Sequence, residues 1–448
     1  MDHDYRAALD YLYGLVNYEH KLASQYAGEP FELSRMERLL SALHNPEQQF
    51  RSVHIAGTKG KGSTAAMIAS CLQHAGQRVG LFTSPHLHTF RERIQVDGEP
   101  ISEAALVAHL RRLQPLFNTL PGLTTFEAAQ AIAFDYFVAQ RIDWGVIEVG
   151  LGGRLDSTNL IQPAVSVITS VSYDHMLVLG DTLTAIAQEK AGIIKPHTPV
   201  VSAPQPDEAL NVITHVAQHL EAPLTLVGRD WTIEPEHGDW DGQAFTLYGP
   251  DVSLNGLFIP LLGEHQLVNA ATAVAALDVL RRQGELVWTG EQLRAGLRAV
   301  RWPARLEILS REPLLVVDGA HNGESMQRLM AAADALFGGR RRVILFGALA
   351  DKDIPRMFEA LFPEVDAVVF TGTGHPRAAA PALLAKQAQG YDVPTAVEPD
   401  LDRALQLAQE LAGPGGVVIA TGSLFIAAAV REAWRRAMHL EPLPADPI

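Results

Sequence analysis

Two hydrophobic periods alternate along most of this chain. Short runs in which nearly every residue is apolar, such as Val53-His54-Ile55-Ala56, Trp144-Gly145-Val146-Ile147-Glu148-Val149 and Val343-Ile344-Leu345-Phe346-Gly347, read as strands buried on both faces. Between them, apolar residues recur three and four positions apart, the signature of helices with one buried stripe. Leu33, Met36, Leu39, Leu40 and Leu43 mark such a helix over residues 31–43, ended by Asn45-Pro46. Ser102 caps another lined by Leu106, Leu110 and Leu113, and Thr124 with Glu127 forms a capping box for a third, apolar to about Val138. Further strands at 78–83, 164–171, 200–202 and 224–227, with a helix from about 207 to 220, continue the alternation and predict a mainly parallel sheet.

Residues 229–261 break the pattern. Short β stretches around Gly238, Asp241-Gly242 and Gly249-Pro250 predict a small antiparallel appendage, and helical periodicity resumes over 263–280. Arg301-Trp302-Pro303-Ala304-Arg305 reads as a link to a fresh series of strands at 314–318, 343–347, 367–370, near 395–397 and at 417–420. The expected fold is α/β: a P-loop-type, mainly parallel sheet domain with its antiparallel appendage in residues 1–298, and a smaller Rossmann-like domain in residues 299–448. No period signals repeats.

A chain of 448 residues that is 47% hydrophobic can bury more than one core. It has no run of about 18 apolar residues, and Met1-Asp2-His3-Asp4 lacks the basic-then-apolar start of a secretory leader, so a cytoplasmic location is expected. The single cysteine, Cys71, excludes disulfides within the chain and falls on the apolar side of a helix, where a core role is the ordinary one. A net charge of −15 argues against a nucleic-acid backbone as partner and favours small anions.

The candidate chemistry starts after the first strand, where Gly57-Thr58-Lys59-Gly60-Lys61-Gly62-Ser63-Thr64 runs into a helix with Ala65, Ile68, Ala69 and Leu72 on its apolar stripe. Such a loop can converge backbone N–H groups on phosphate while Lys61 reaches the outer phosphates. It departs from the generic P-loop, because Ile55 stands in place of the first glycine and Gly62 separates the lysine from Ser63. A plain glycine turn with solvated lysines is the alternative. Ser84, Glu148 and Asp174-His175 follow or end strands, where ligands of open parallel sheets bind, although each alone is more often a cap or a satisfied core group. Glu148 inside an apolar run needs a cation or a proton. Glu127 is open between cap and ligand. In residues 181–194 the stripe Leu183, Ile186, Ala187 and Ile194 includes Lys190, either buried or snorkelling to the surface. Asp318-Gly319-Ala320-His321-Asn322 lies at a strand-to-helix turn.

These segments, taken in order, resemble the folylpolyglutamate synthase and dihydrofolate synthase family, relatives of the Mur ligases. The likeness runs from Arg35-Met36 through the 54–63 loop, Ser84-Pro85-His86-Leu87, Glu92-Arg93-Ile94, Glu148 to Asp156, Tyr173-Asp174-His175, Glu189 to Ile193, Gly263 to Ala270, Arg301 to Glu307 and Asp318 to Asn322. By resemblance, Gly57, Thr58, Gly60, Lys61, Gly62 and Ser63 hold ATP phosphates, and Asn269, Arg305 and Asp318 complete the nucleotide site. Ser84, Glu148 and His175 bind magnesium, Lys190 is the carboxylated lysine of the family, and His321 acts near an acyl phosphate. Thr124, Thr125, Phe126 and Glu127, with Leu155, Asp156 and Ser157, line a pteridine pocket. Lys61, Lys190 and His321 are the implied catalytic residues. Three departures stand out: Lys59 for the usual asparagine, Ala304 for a common glycine, and an unusually apolar Met176-Leu177-Val178.

The resemblance implies an ATP-dependent ligase that activates a carboxylate as an acyl phosphate and joins it to the α-amine of L-glutamate, releasing ADP and phosphate. The acceptor is dihydropteroate, the γ-carboxylate of a reduced folate, or both; a polyglutamate synthase without the dihydropteroate activity is the alternative. Small-molecule substrates, magnesium, no nucleic acid, no membrane and a monomer are expected, with the second domain closing over the first around residues 299–303. A P-loop motor or transport ATPase, or a non-catalytic nucleotide module, are readings from other classes, and neither explains a lysine aligned with the metal residues.

Overall fold

The computed structural model describes residues 3–18 and 32–446. Residues 1 and 2 of the expected leaderless start, and residue 31 of the first expected helix, lie outside the described residues. The strand β1 (Arg51–Ala56) runs through the middle of an eight-stranded sheet. Its other strands are β2 (Val79–Phe82), β3 (Ile94–Val96), β4 (Glu99–Pro100), β5 (Trp144–Glu148), β6 (Val165–Ile168), β7 (Val200–Ser202) and β8 (Leu224–Leu226), in the order β4-β3-β2-β5-β1-β6-β7-β8. All pairings are parallel except those of β3 and β4, which extend one edge as antiparallel strands. Since Ile55 pairs with Glu148 and Ala56 with Ile168, the loop after β1, the carboxylate at the end of β5 and the turn after β6 open on the same edge. This is the switch point of a doubly wound sheet.

One face of the sheet carries the helix Lys61–His74, whose Ala65, Ile68, Ala69 and Leu72 are buried as their spacing requires. Each of Ile68 and Leu72 contributes about 2 kcal/mol by leaving water. The alanine-rich helix Glu264–Arg282 and the helix Gly290–Ala299 share this core. So does a three-stranded antiparallel sheet of β9 (Thr232–Asp239), β10 (Gly242–Gly249) and β11 (Val252–Ile259), through Phe245, Leu247 and Leu257. Cys71 lies against Gly296, where an added Cβ would stand 2.6 Å from the Cys71 Cα. Burial pushes its thiol well up, as befits a core residue.

A six-stranded sheet follows, ordered β12 (Glu307–Arg311), β13 (Leu314–Val317), β17 (Val417–Thr421), β14 (Arg342–Phe346), β15 (Ala367–Phe370), β16 (Thr395–Val397). It is parallel except for the β12–β13 pair, with helices covering both faces. The two sheets are bound together beyond the connecting chain. Trp240 of the β9–β10 turn donates to the Leu336 carbonyl at 3.1 Å. Leu87 packs against the core of the six-stranded unit, and His88 meets Glu432 at 2.8 Å and Arg431 at 2.6 Å. The Asp446 carboxylate accepts from Phe90 N at 2.6 Å, Thr89 Oγ1 at 3.0 Å and Tyr5 Oη at 2.9 Å.

Some elements depart from the pattern-based expectation. The strand expected over 164–171 stops at Ile168, because the next residues turn toward the loop after β1: Ser170 O accepts from Thr58 N at 2.7 Å and Lys59 N at 3.3 Å. The helix expected over 181–194 spans Leu183–Ala191, so Ile194 is buried from beyond its end. The helices His3–Gly14 and Gly290–Ala299 were not anticipated although their buried residues, Tyr5, Ala8, Leu9 and Leu12 in one and Leu293, Gly296 and Leu297 in the other, stand at helical spacing, whereas the strands β3, β4 and β12 are too short or too little buried to show a pattern. Four of the five β12 residues are only half-buried, which explains why Glu307 reads as part of a link.

Candidate active site

The loop after β1 has the conformation a glycine turn demands. Gly57 and Gly60 have φ of 149° and 88°. An added Cβ would lie 1.8 Å from Thr169 Oγ1 at Gly57, 2.4 Å from Asn269 Oδ1 at Gly60, and 2.7 Å from the Trp302 ring at Gly62. The helix then begins at Lys61 with no side-chain cap on its first turn, where backbone N–H groups lack partners within the helix.

Facing that turn, Glu148 is buried; its carboxylate accepts from Ser84 N at 3.3 Å and lies 3.9 Å from Lys61 Nζ. Burial raises its pKa, and the Lys61 charge pulls it back down. Arg305 reaches toward the same carboxylate from the link before β12. Desolvation lowers its pKa, opposed by Asp318 and then Glu148. The Asp318 oxygens are each taken by a backbone N–H, of Leu306 and of Ala320, both at 2.8 Å. Asn269 donates to Gln266 Oε1 at 3.0 Å with its own Oδ1 toward Gly60. Ala304 occupies left-handed backbone at φ 56°, which accounts for a glycine being the more comfortable residue there.

A second group of polar side chains centres on Asp174. Lys59 Nζ donates to Asp174 Oδ2 at 2.8 Å and lies 2.9 Å from His321 Nε2, while Asn322 Nδ2 reaches Asp174 Oδ2 at 3.4 Å. His321 Nδ1 lies 2.9 Å from Gly319 O. A carbonyl only accepts, so Nδ1 carries the proton and Nε2 presents its lone pair to Lys59. The Lys59 charge, with burial, holds the His321 imidazole down at about 4, and Asp174 is held well below the usual carboxylate range by Lys59 against the effect of burial. His175, at φ 50°, is partly exposed, with Nε2 3.9 Å from Asp174 Oδ1. Lys190 is buried, not snorkelling; its Nζ donates to Gly57 O at 3.0 Å, and burial, followed by the Lys61 charge, lowers its pKa to about 7.

Thr124, Thr125 and Glu127 are tied into the protein. Thr124 and Glu127 form the reciprocal cap, Thr125 Oγ1 donates to Leu12 O at 2.8 Å, and the Glu127 carboxylate also meets Arg35 Nε at 3.0 Å. Phe126 lies beside Phe82 and against Gly150, where a Cβ would be 2.7 Å from its ring. Asp156 accepts from Leu151 N at 2.8 Å and Thr158 N at 3.0 Å, pinning the glycine turn, and Ser157 donates to Gln130 at 2.6 Å. Leu155 is exposed.

Residues 55–277 match the Mur ligase middle domain, and residues 304–424 match the glutamate ligase domain of Mur ligases. The dihydrofolate synthase/folylpolyglutamate synthase of Bacillus subtilis is 37% identical over 406 residues, covering 89% of this chain and 94% of that protein. The folylpolyglutamate synthase of Lacticaseibacillus casei is 42% identical over 416 residues, covering 89% and 93%. The chain belongs to the folylpolyglutamate synthase and dihydrofolate synthase family. It is an ATP-dependent amino-acid ligase of the Mur type. The solved structure of Mycobacterium tuberculosis folylpolyglutamate synthase complexed with ADP is similar at a TM-score of 0.87 and 31% identity, covering 98% of this chain and 99% of that one.

In this ligase the expected residues fall into two neighbouring groups. Lys61, Ser84, Glu148 and Arg305 converge, as do Lys59, Asp174 and His321, with Lys190 held between them through Gly57. Ser84 and Glu148 meet directly, whereas His175 contacts Asp174. Among the described residues no group of three or more His, Cys, Asp or Glu side chains could by itself hold a metal. Neither Lys59 nor Asp174 was given a role of its own; the sequence marked Lys59, between Thr58 and Gly60, only as a departure from asparagine, and Asp174 only as the strand-end neighbour of His175. Among the described residues no helix is long and apolar enough to cross a membrane.

Proposed function

We propose that this ligase uses ATP to convert the carboxylate of dihydropteroate, the γ-carboxylate of a reduced folate, or both, into an acyl phosphate, and joins it to the α-amine of L-glutamate. The observation that carries this reading is the convergence of Lys61 and Glu148, at the carboxyl edge of the first sheet, with Arg305 ahead of the second. It puts two cations and a carboxylate beside a helix N-terminus, the equipment of phosphoryl transfer. In this reading Gly57, Thr58, Gly60, Lys61, Gly62 and Ser63 bind the phosphates, and Asn269, Arg305 and Asp318 the rest of the nucleotide. The division of labour follows a boundary at 298/299, with the glutamate ligase unit after it. Thr124 to Glu127 and Leu155 to Ser157 flank the pteridine; since Thr125 and Glu127 are already engaged, their part is to shape the pocket around Phe126 rather than to offer free polar atoms.

The residues fit a magnesium ion. Glu148 is a buried oxygen donor whose nearest side-chain cation stands at 3.9 Å, too far to satisfy it. Ser84 and Glu148 would hold that ion, and His175 with a carboxylated Lys190 a further one. Bound magnesium offsets charge on the transferring phosphoryl group. Lys190 is suited to carboxylation because burial favours its neutral amine, whose lone pair bonds to the carbon of CO2 as one N–H proton leaves to solvent. We take the enzyme to act as a cytoplasmic monomer on small molecules.

The test is ADP release with dihydropteroate or tetrahydrofolate, each with and without L-glutamate. Release that needs both an acid acceptor and glutamate is expected. Steady ADP release with no acceptor would place the chain among motor or transport ATPases, and nucleotide binding without turnover would make it a binding module. Turnover with tetrahydrofolate alone selects the monofunctional enzyme.

A further inference from the structure

Lys59 stands where the resemblance leads one to expect asparagine, and its side chain is turned inward, with 14% of its surface exposed. Its Nζ is held by one carboxylate oxygen of Asp174 at 2.8 Å and by the lone pair of His321 Nε2 at 2.9 Å. The Asn322 amide steadies that same Asp174 oxygen at 3.4 Å, and the Gly319 carbonyl fixes the His321 tautomer at 2.9 Å. A carboxylate and a neutral imidazole that converge on one nitrogen, each oriented by a further hydrogen bond, form a receptor for a primary ammonium. Asp174 comes from the first sheet's edge and His321 from the turn after β13, so the receptor exists only where the two units meet.

We infer that Asp174 and His321 form the site for the α-ammonium of the amino-acid substrate, and that Lys59 is an internal occupant which the substrate ammonium displaces. This rests on the reading that glutamate is the amine. Exchanging one ammonium for another keeps Asp174 paired, so displacement leaves no buried charge uncompensated. The bound ammonium passes one proton to His321 Nε2, and the freed nitrogen lone pair forms the C–N bond at the acyl carbon. The C–O bond to phosphate breaks with its electron pair on the phosphate oxygen, and phosphate takes the second N–H proton, leaving amide, hydrogen phosphate and protonated His321. While Lys59 fills the receptor, the apparent affinity for the amino acid is reduced to the fraction of enzyme in which it has swung out.

The experiment compares the unaltered enzyme with Lys59→Met and Lys59→Asn at saturating ATP and folate acceptor. Both variants are expected to lower KM for L-glutamate by about threefold or more while KM for ATP stays within about twofold. Inhibition by glutarate, which has the carboxylates of glutamate but no amine, is expected to be the same in all three. A fall in kcat with KM for glutamate unchanged would overturn the inference and make Lys59 a catalytic cation. Glutarate affinity changing in parallel with that of glutamate would also overturn it, because the lysine would then act on carboxylates. Asp174→Asn placed in the Lys59→Met background is expected to raise KM for glutamate and leave glutarate inhibition unmoved. The unaltered enzyme's requirement for glutamate in ADP release checks the underlying reading separately.

Discussion

Lys190 Nζ donates a hydrogen bond of 3.0 Å to the carbonyl oxygen of Gly57, so a buried amine on one helix is anchored to the first residue of the glycine loop after β1. The bond aims the nitrogen at the junction of the two polar groups, and its lowered pKa of about 7 makes much of it neutral under ordinary conditions.

Carboxylation of Lys190 is therefore expected to be visible without turnover. Protein equilibrated with 13C-bicarbonate at mildly alkaline pH should show a carbamate carbon resonance that is missing in Lys190→Ala. That variant should lose activity on the order of a hundredfold or more, with partial recovery in acetate. A resonance that persists in Lys190→Ala would move the modification elsewhere.

Glu148→Gln keeps the shape of the side chain while removing the charge that faces Lys61 and Ser84 N. Folate binding should survive, and magnesium-dependent turnover should fall by about two orders of magnitude. Unchanged activation by magnesium would take Glu148 out of the metal site. Lys61→Ala should likewise fold and lose nearly all ligation.

Gly60→Ala places a methyl 2.4 Å from Asn269 Oδ1 on backbone at φ 88°. A cost of about 1–2 kcal/mol from the left-handed backbone alone is expected, and the loop must shift. The measurable result is a KM for ATP raised about tenfold or more with the midpoint of thermal unfolding lowered only modestly. An unaltered KM would show that the loop tolerates the shift.

His54 gives a prediction for acid stability. Its ring is buried, Nε2 lies 2.9 Å from Thr158 Oγ1, and burial holds its pKa at about 3 against the ordinary 6.5. Below pH 6.5 the unfolded chain takes up a proton that the folded chain refuses until about pH 3. Stability is thus fully present above 6.5 and falls with decreasing pH through that window, by up to about 1.4 kcal/mol per pH unit. Urea unfolding of His54→Gln should show a shallower dependence over the upper half of the window; an identical slope would show that other groups set it.

The glycine loop after β1 was legible because its constraints are local: glycines at fixed offsets, an apolar strand before and a buried helical stripe after. Lys190 was legible by period, as a cation on an apolar face, although only packing decided between burial and snorkelling. The receptor around Lys59 was not, since it is made by residues 59, 174 and 321, which no local pattern links. β12 escaped for a different reason: a half-buried edge strand beside a link has too little apolar contrast to mark it. Glu127 shows the converse, a residue whose cap was written in the sequence while its second partner, Arg35, belonged to tertiary packing.

The segment from Ser84 to Phe90 belongs by sequence to the first sheet but is fastened to the second. Leu87 packs, half-buried, against the core of the six-stranded unit, His88 is gripped by Arg431 and Glu432, and the Asp446 carboxylate seals Thr89 and Phe90. Ser84, three residues before that leucine, is the one whose backbone N–H meets Glu148. The segment is therefore a drive rod between two bodies. A rotation of the six-stranded unit would have to shear these bonds or pull Ser84 off the carboxylate, so any closure of the second body over the first would assemble or dismantle the partners of Glu148 in the same movement.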